Sequence, residues 1–168
     1  MDSITYAEKF RTACVLIAAL LSMFIAQLSK VVYRSIKEHK LAWHYFFTTG
    51  GMPSSHTSTM VSLVTTLGLL QFHYEGGVGY VFAVALATSV VVIYDAMGVR
   101  YEAGRHARLL NNMLEHEPDE IQKEVGYDKK KGLKEYLGHK PKEVIAGFFL
   151  GLAVGVFTSL FYIFYIKV

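Results

Sequence analysis

"GGMPSSHTSTM", residues 50–60, decides how the chain divides. It lies inside an uncharged block running from Leu41 to Tyr74, too long for a single membrane-crossing helix. Gly50, Gly51 and Pro53 interrupt that block, because glycine and proline end helices or begin them. Upstream, "LAWHYFFTTGG" (residues 41–51) becomes a short interfacial or re-entrant piece. Its Trp43, Tyr45, Phe46 and Phe47 suit the headgroup level of a bilayer. Downstream, Pro53 opens a membrane span predicted over residues 53–72.

The same reading extends outward. Charged residues are also absent from residues 12–29, 76–94 and 144–166, and a crossing helix needs about 20 mostly apolar residues. Spans are therefore predicted near residues 12–29, 53–72, 78–94 and 144–166. The chain has 168 residues, of which 52% are hydrophobic, and a mean hydropathy of +0.31. That is too apolar for a soluble globule. The expected fold is all-α: one domain over residues 1–168, a polytopic membrane bundle of about four transmembrane helices. An interfacial or re-entrant segment and a cytoplasmic helical loop complete it. No small-x-small cleavage site follows the first run before Lys30, so that run reads as a retained span and not a signal peptide. The single cysteine, Cys14, falls inside it, which excludes an intrachain disulfide and suits a packed thiol.

Four spans would put residues 30–52 and 95–142 on one side. That side carries Lys30, Arg34, Lys37 and Lys40, and ten further Lys or Arg from Arg100 to Lys142. The other carries Lys9, Arg11 and Lys167. The positive-inside rule then makes the large segments cytoplasmic and leaves both termini outside. Residues 95–117 read as a helix continuing from the third span. Residues 119–140 read as a charged helix-turn piece, with the Lys129–Lys131 run solvated near anionic headgroups.

Three groups of residues carry possible chemistry. In Pro53-Ser54-Ser55-His56, a helix start offers free N–H groups and partial positive charge, a natural phosphate cradle. Ser54 and Ser55 add hydroxyl donors, and His56 titrates near neutral pH, suiting proton transfer to a leaving oxygen. A helix cap beside a satisfied histidine accounts for the same residues equally well. In "LGHKPKEVIAG" (residues 137–147), His139 precedes the fourth span and Glu143 stands in its first turn. An imidazole that attacks phosphorus needs a carboxylate on its other nitrogen, and the spacing permits Glu143 to supply it. The alternative is a glutamate that merely favours the helix dipole. Gly147, Gly151 and Gly155 fall on one helical face and read as close helix packing. The third group is cationic. Lys30 is expected to close the first span, either as a snorkelling anchor or as a phosphate contact. Arg100 and Arg105 would clamp phosphate oxygens, with Asp95 orienting one of them. Lys30, His56, Arg100 and His139 belong to the ends of four different predicted spans, and the topology puts all four on one face. Interfacial anchors would be shared between both faces.

With these residues in hand, the chain resembles a known superfamily. Pro53-Ser54-Ser55-His56 resembles the proline-serine-glycine-histidine motif of type-2 phosphatidic acid phosphatases and vanadium-dependent haloperoxidases. His139-x-x-x-Glu143-Val144-x-x-Gly147 is similar to the end of their last motif, with Glu for the usual Asp. "GGMPSSH", "DAMGVR" and "LGHKPKEV" together resemble the small divergent membrane branch, from about Lys30 through Gly151. The resemblance implies His139 as the nucleophile of a phosphohistidine, Glu143 as its orienting partner and His56 as proton donor to the leaving alcohol. Lys30, Ser54, Ser55 and Arg100 would hold the phosphate, with no metal and no cofactor. The chain departs from the family pattern at Ser55, which replaces glycine. It departs again at Lys37-Glu38 and Gly132-Leu133, where family arginines would stand, and Arg100 and Arg105 are their expected substitutes.

The function so implied is hydrolysis of a lipid phosphomonoester or diphosphate at the headgroup level. The expected partners are that substrate and the bilayer, with no nucleic acid and with room for a homodimer. Two rivals use the same residues: a non-catalytic lipid or anion carrier, and a vanadate-dependent peroxidase with His139 on vanadium.

Overall fold

A computed structural model describes residues 3–47, 50–129, 131–135 and 138–166. These form α1 (Ser3–Glu38), a 3₁₀ turn (Trp43–Phe47), α2 (Ser55–Glu75), α3 (Tyr80–Met97), α4 (Val99–Leu114), α5 (Asp119–Glu124) and α6 (Pro141–Tyr165). The protein is all-helical, as the uncharged runs imply. Among the described residues, three helices are long and apolar enough to cross a membrane: Ala7–Glu38, Tyr80–Leu114 and Pro141–Tyr165. The run expected as the second span forms α2, which falls outside that set because serine and threonine recur along it.

Those hydroxyls explain the architecture. α2 lies at the centre of the bundle, packed against α1, α3 and α6, and its polar face points inward: Ser55, Ser58, Ser62 and Thr66 are all buried. Small residues meet this row from both sides at the same four-residue spacing. On α1 the inward row is Ala18, Ser22, Ala26 and Lys30, all buried. On α6 it is Gly147, Gly151, Gly155 and Ser159. Side chains four apart lie above one another on a helix, so each row is a shallow groove that admits a neighbouring backbone. A Cβ at Gly151 would strike the Ser58 carbonyl, and one at Gly155 would strike Thr65 Cβ.

Hydroxyls then cross the seams to backbone carbonyls. Ser22 Oγ donates to Ser58 O at 3.0 Å, Ser62 Oγ to Ala18 O at 3.0 Å and Thr66 Oγ1 to Gly155 O at 3.3 Å. In lipid, where tails are as apolar as leucine, close packing and such bonds hold helices together. The large apolar side chains face outward: Leu16, Phe24, Val91, Phe149, Phe157 and Phe161 are all exposed. That inversion fits a hydrocarbon solvent.

Several boundaries differ from the sequence expectation. The first helix does not close at Lys30. It runs two turns further to Glu38, since a lysine is a good helix former, and it stops where His39 takes a left-handed φ of 52°. Pro53 does not open α2. Ser54 is the N-cap, its Oγ accepting the Thr57 N–H at 3.3 Å, and the helix starts at Ser55. Gly98 interrupts the helix expected over residues 95–117 by a single residue, dividing Tyr80–Leu114 into α3 and α4. The interfacial segment is the 3₁₀ turn, folded back along α1. The Ala42 N–H donates to Ser35 Oγ, Tyr45 Oη donates to Glu38, and Phe46 reaches Phe24 edge-on at 5.8 Å. Lys130 of the basic run and Leu137 of the fourth-span motif lie outside the described residues.

Candidate functional site

α1 and α3 run toward one end of the bundle, and α2 and α6 start from it. That end gathers Lys30, His56 and His139. His139 is placed by its own backbone: its N–H donates to Ala96 O, the last turn of α3, at 2.8 Å. The preceding Gly138 has φ +76° and sits against the Tyr101 N–H and the Arg100 carbonyl carbon, where a Cβ has no room. This clasp pins the segment before α6 to the start of α4. A second tie joins α2 to α6, the Ser54 N–H donating to Glu143 O at 2.9 Å.

Glu143 does two jobs through one oxygen. Its Oε2 accepts the Lys140 N–H at 3.3 Å, completing the first turn of α6, and meets His139 Nδ1 at 3.0 Å. A carboxylate can only accept, so the imidazole proton sits on Nδ1 and the Nε2 lone pair is free. His139 is 2% exposed. Burial holds its basicity below the ordinary imidazole value, outweighing Glu143 and the nearby Gly51 backbone, which both favour the protonated ring. The ring is therefore neutral near pH 7.

His56 stands beside it, ring centroids 5.7 Å apart and planes inclined at 63°. Lys30, 3% exposed, completes the inward row of α1. Its stem runs past Gly51, and its charge is within reach of both Glu143 and His139. This is no snorkelling anchor. Three nitrogens at this end are buried and have no hydrogen-bond partner among the described residues: Lys30 Nζ, His56 Nδ1 and His139 Nε2. Leaving a buried polar atom unpaired costs about 1–3 kcal/mol, more for a charged one. Three such nitrogens lie together at this one end of the bundle.

The remaining sequence candidates divide. Ser55 is buried in the first turn of α2, its hydroxyl making no hydrogen bond among the described residues. Ser54, expected as a phosphate contact, is wholly buried and its Oγ is held by Thr57 N and Thr57 Oγ1. It is a helix cap. Arg100 is close enough to act on His56, but its Nε is held by Asp95 Oδ2 at 2.7 Å, the orienting pair foreseen for Asp95. Arg105 faces solvent, paired with Glu102 at 3.1 Å on the next turn of α4. The structure does not bring Arg105 to the histidines. Two further groups near this end are not among the sequence candidates. One is the Ala96 carbonyl, invisible because any residue supplies one. The other is Gln27, whose buried Oε1 also lacks a partner. Its only warning is an amide inside an otherwise apolar run. Among the described residues, no cluster of three or more His, Cys, Asp or Glu could hold a metal ion.

Comparison with known proteins gives this geometry a family. An uncharacterized membrane protein of Bacillus subtilis (strain 168), YuiD, is 34% identical over 154 residues, 88% of this chain and 94% of the relative. No solved structure matches the chain. The family model that matches covers residues 12–154, from the first apolar helix into α6, and so takes in Lys30, His56, His139 and Glu143. The chain is a membrane protein and belongs to the Divergent PAP2 family.

Proposed function

We propose that the chain is a multi-pass membrane phosphatase that hydrolyses a lipid phosphate through a phosphohistidine at His139. The observation that carries this reading is the convergence of three unpartnered buried nitrogens beside a carboxylate-held imidazole. In the proposed step, His139 Nε2 attacks phosphorus, an N–P bond forms and the P–O bond to the lipid alcohol breaks. His56 gives the departing oxygen its proton. A water, deprotonated by His56, then attacks phosphorus. The N–P bond breaks and inorganic phosphate leaves. Lys30 neutralises charge on the phosphoryl oxygens throughout, with the first-turn N–H groups of α2 and the Ser55 hydroxyl beside it. Arg100 joins only by loosening from Asp95.

In this reading α2 crosses the bilayer as a fourth span, shielded from lipid by α1, α3 and α6. The site end faces the cytoplasm, because Arg34, Lys37, Lys40 and the cations of residues 100–142 all follow from it. A substrate anchored by its tails then delivers its phosphate at the helix ends. A second reading, an anion-binding protein without turnover, draws on a specific observation: Arg100 and Arg105 are both engaged by carboxylates.

Phosphate release from a panel of lipid phosphates separates the two. Wild type releases phosphate and acquires an acid-labile phosphate label. His139→Ala loses both, and His56→Ala slows release by about 10²–10⁴-fold. Near-normal release by both variants would sink the mechanism. Binding without release by wild type would select the second reading.

A further inference from the structure

Gln27 is the fourth buried orphan. Its Oε1 is inaccessible and unpartnered, and no hydrogen bond of its amide nitrogen occurs among the described residues. It lies three residues before Lys30 on α1, and side chains three apart are neighbours on a helix. Three residues at 1.5 Å each set it about 4.5 Å deeper than Lys30 along the axis. Lys30 is the first charge after the uncharged run of residues 12–29, so Gln27 is inside the apolar slab. Among the described residues no group of the bundle's seams bonds its side chain. Ser22, Ser58, Ser62 and Thr66 find carbonyls, and Gln27 finds none.

We propose that Gln27 is a specificity residue that hydrogen-bonds the first polar group of the lipid below its phosphate. The inference rests on the phosphatase reading of the same site. With the phosphate held at Lys30 and His139, the alcohol side of the substrate points down α1 toward the tails, past Gln27. A glycerolipid phosphate carries ester or hydroxyl oxygens within a few bonds of the phosphate. An amide serves either, its nitrogen donating to an ester carbonyl or its oxygen accepting from a hydroxyl. An isoprenyl phosphate offers only hydrocarbon there and would leave the amide stranded, which is how a polar pocket rejects a substrate lacking the matching group. Gln27 therefore favours glycerolipid phosphates over isoprenyl phosphates.

The test compares dioleoyl phosphatidate with farnesyl monophosphate in mixed micelles, using purified wild type and Gln27→Leu. Wild type prefers phosphatidate. Gln27→Leu lowers kcat/KM for phosphatidate by about tenfold, the upper range for one hydrogen bond, and leaves farnesyl monophosphate unchanged or faster. The unfolding midpoint of Gln27→Leu stays level or rises, because a buried unpaired amide has gone. An equal loss on both lipids, or a lower midpoint, makes Gln27 a structural residue and overturns the inference. So does unchanged phosphatidate hydrolysis, while the phosphatase reading stands in each of these cases. Release from neither lipid by wild type removes the phosphatase reading, and this inference with it.

Discussion

The seams between α1, α2 and α6 and the site at their end are built from similar parts and treated oppositely. Along the seams, Ser22, Ser58, Ser62, Thr66 and Ser159 are buried and each hydroxyl is bonded to a backbone carbonyl. At the end, Gln27, Lys30, His56 and His139 each keep a buried polar atom with no partner among the described residues. Lys30 belongs to both, since it is the last member of the row that begins at Ala18. Polar groups in an apolar solvent are held to a strict rule of satisfaction. A protein that bonds the hydroxyls of its seams yet leaves one buried nitrogen on each of these histidines unbonded treats the two regions differently. The contrast makes opposite forecasts for substitutions in the two regions.

The largest expected effect is on the site side. Glu143→Gln keeps the shape of the side chain but removes the charge that fixes the His139 tautomer. Turnover is expected to fall by up to about 10⁴-fold, the scale seen when a histidine loses its orienting carboxylate. The pH profile adds a readout that a merely structural role would not move. In the proposed mechanism the attacking form of His139 is neutral, so activity is expected above its pKa and is lost as pH falls through it. Burial lowers that pKa, so the acidic limb of wild type is expected below the ordinary imidazole value. Both contributions of Glu143, its hydrogen bond and its charge, raise the His139 pKa. Removing them moves the limb further toward acid. A limb that stays in place or moves toward neutral pH would contradict the assigned pairing.

On the seam side the largest effect is steric. A Cβ at Gly151 meets the Ser58 carbonyl, Val61 Cβ at 2.9 Å and Ser58 Cα at 3.0 Å. Backbone cannot swing aside as a side-chain tip can, so Gly151→Leu forces α2 and α6 apart. A loss of about 3 kcal/mol is expected, read as a lowered unfolding midpoint in detergent. Gly77→Ala is the control, since its Cβ would meet nothing within 4 Å. A Gly151→Leu protein as stable as wild type would mean that the glycine row does not set the helix spacing.

The two regions also differ in how legible they are from sequence. The glycine row of α6 and the His139–Glu143 pair are local patterns, four residues apart on one chain segment, and both read directly. The sharing of one bundle end by His56 and His139 is legible because four apolar runs leave little freedom in topology. What does not read is whatever depends on a neighbour. The inward turn of the α2 hydroxyls depends on α1 and α6 lying beside it, and in a lone segment those hydroxyls only lower its hydropathy. Ser54 looks like a phosphate contact until Thr57 is seen to hold its hydroxyl. Arg105 looks like a clamp until Glu102 engages it. In both residues chemical type is right for the role, and the partner decides.

The smallest effect tests the seam at a single bond. Ser62 Oγ donates to Ala18 O at 3.0 Å, and Ser62→Ala removes that donor without adding bulk. The carbonyl it leaves behind is on α1, where the N–H of Ser22 one turn on still serves it, so no buried acceptor is stranded. The expected loss is therefore only the net worth of one interhelical bond in a membrane protein, about 0.6 kcal/mol. Phosphate release stays at the wild-type rate, because Ser62 is two turns from His56 along α2. The sign is what matters. Truncating a satisfied seam hydroxyl lowers the unfolding midpoint slightly, whereas Lys30→Met at the end of the adjoining row removes an unpaired buried charge and raises it. If both substitutions shift the midpoint in the same direction, Lys30 is part of the packing and the division between seam and site fails at the residue where they meet.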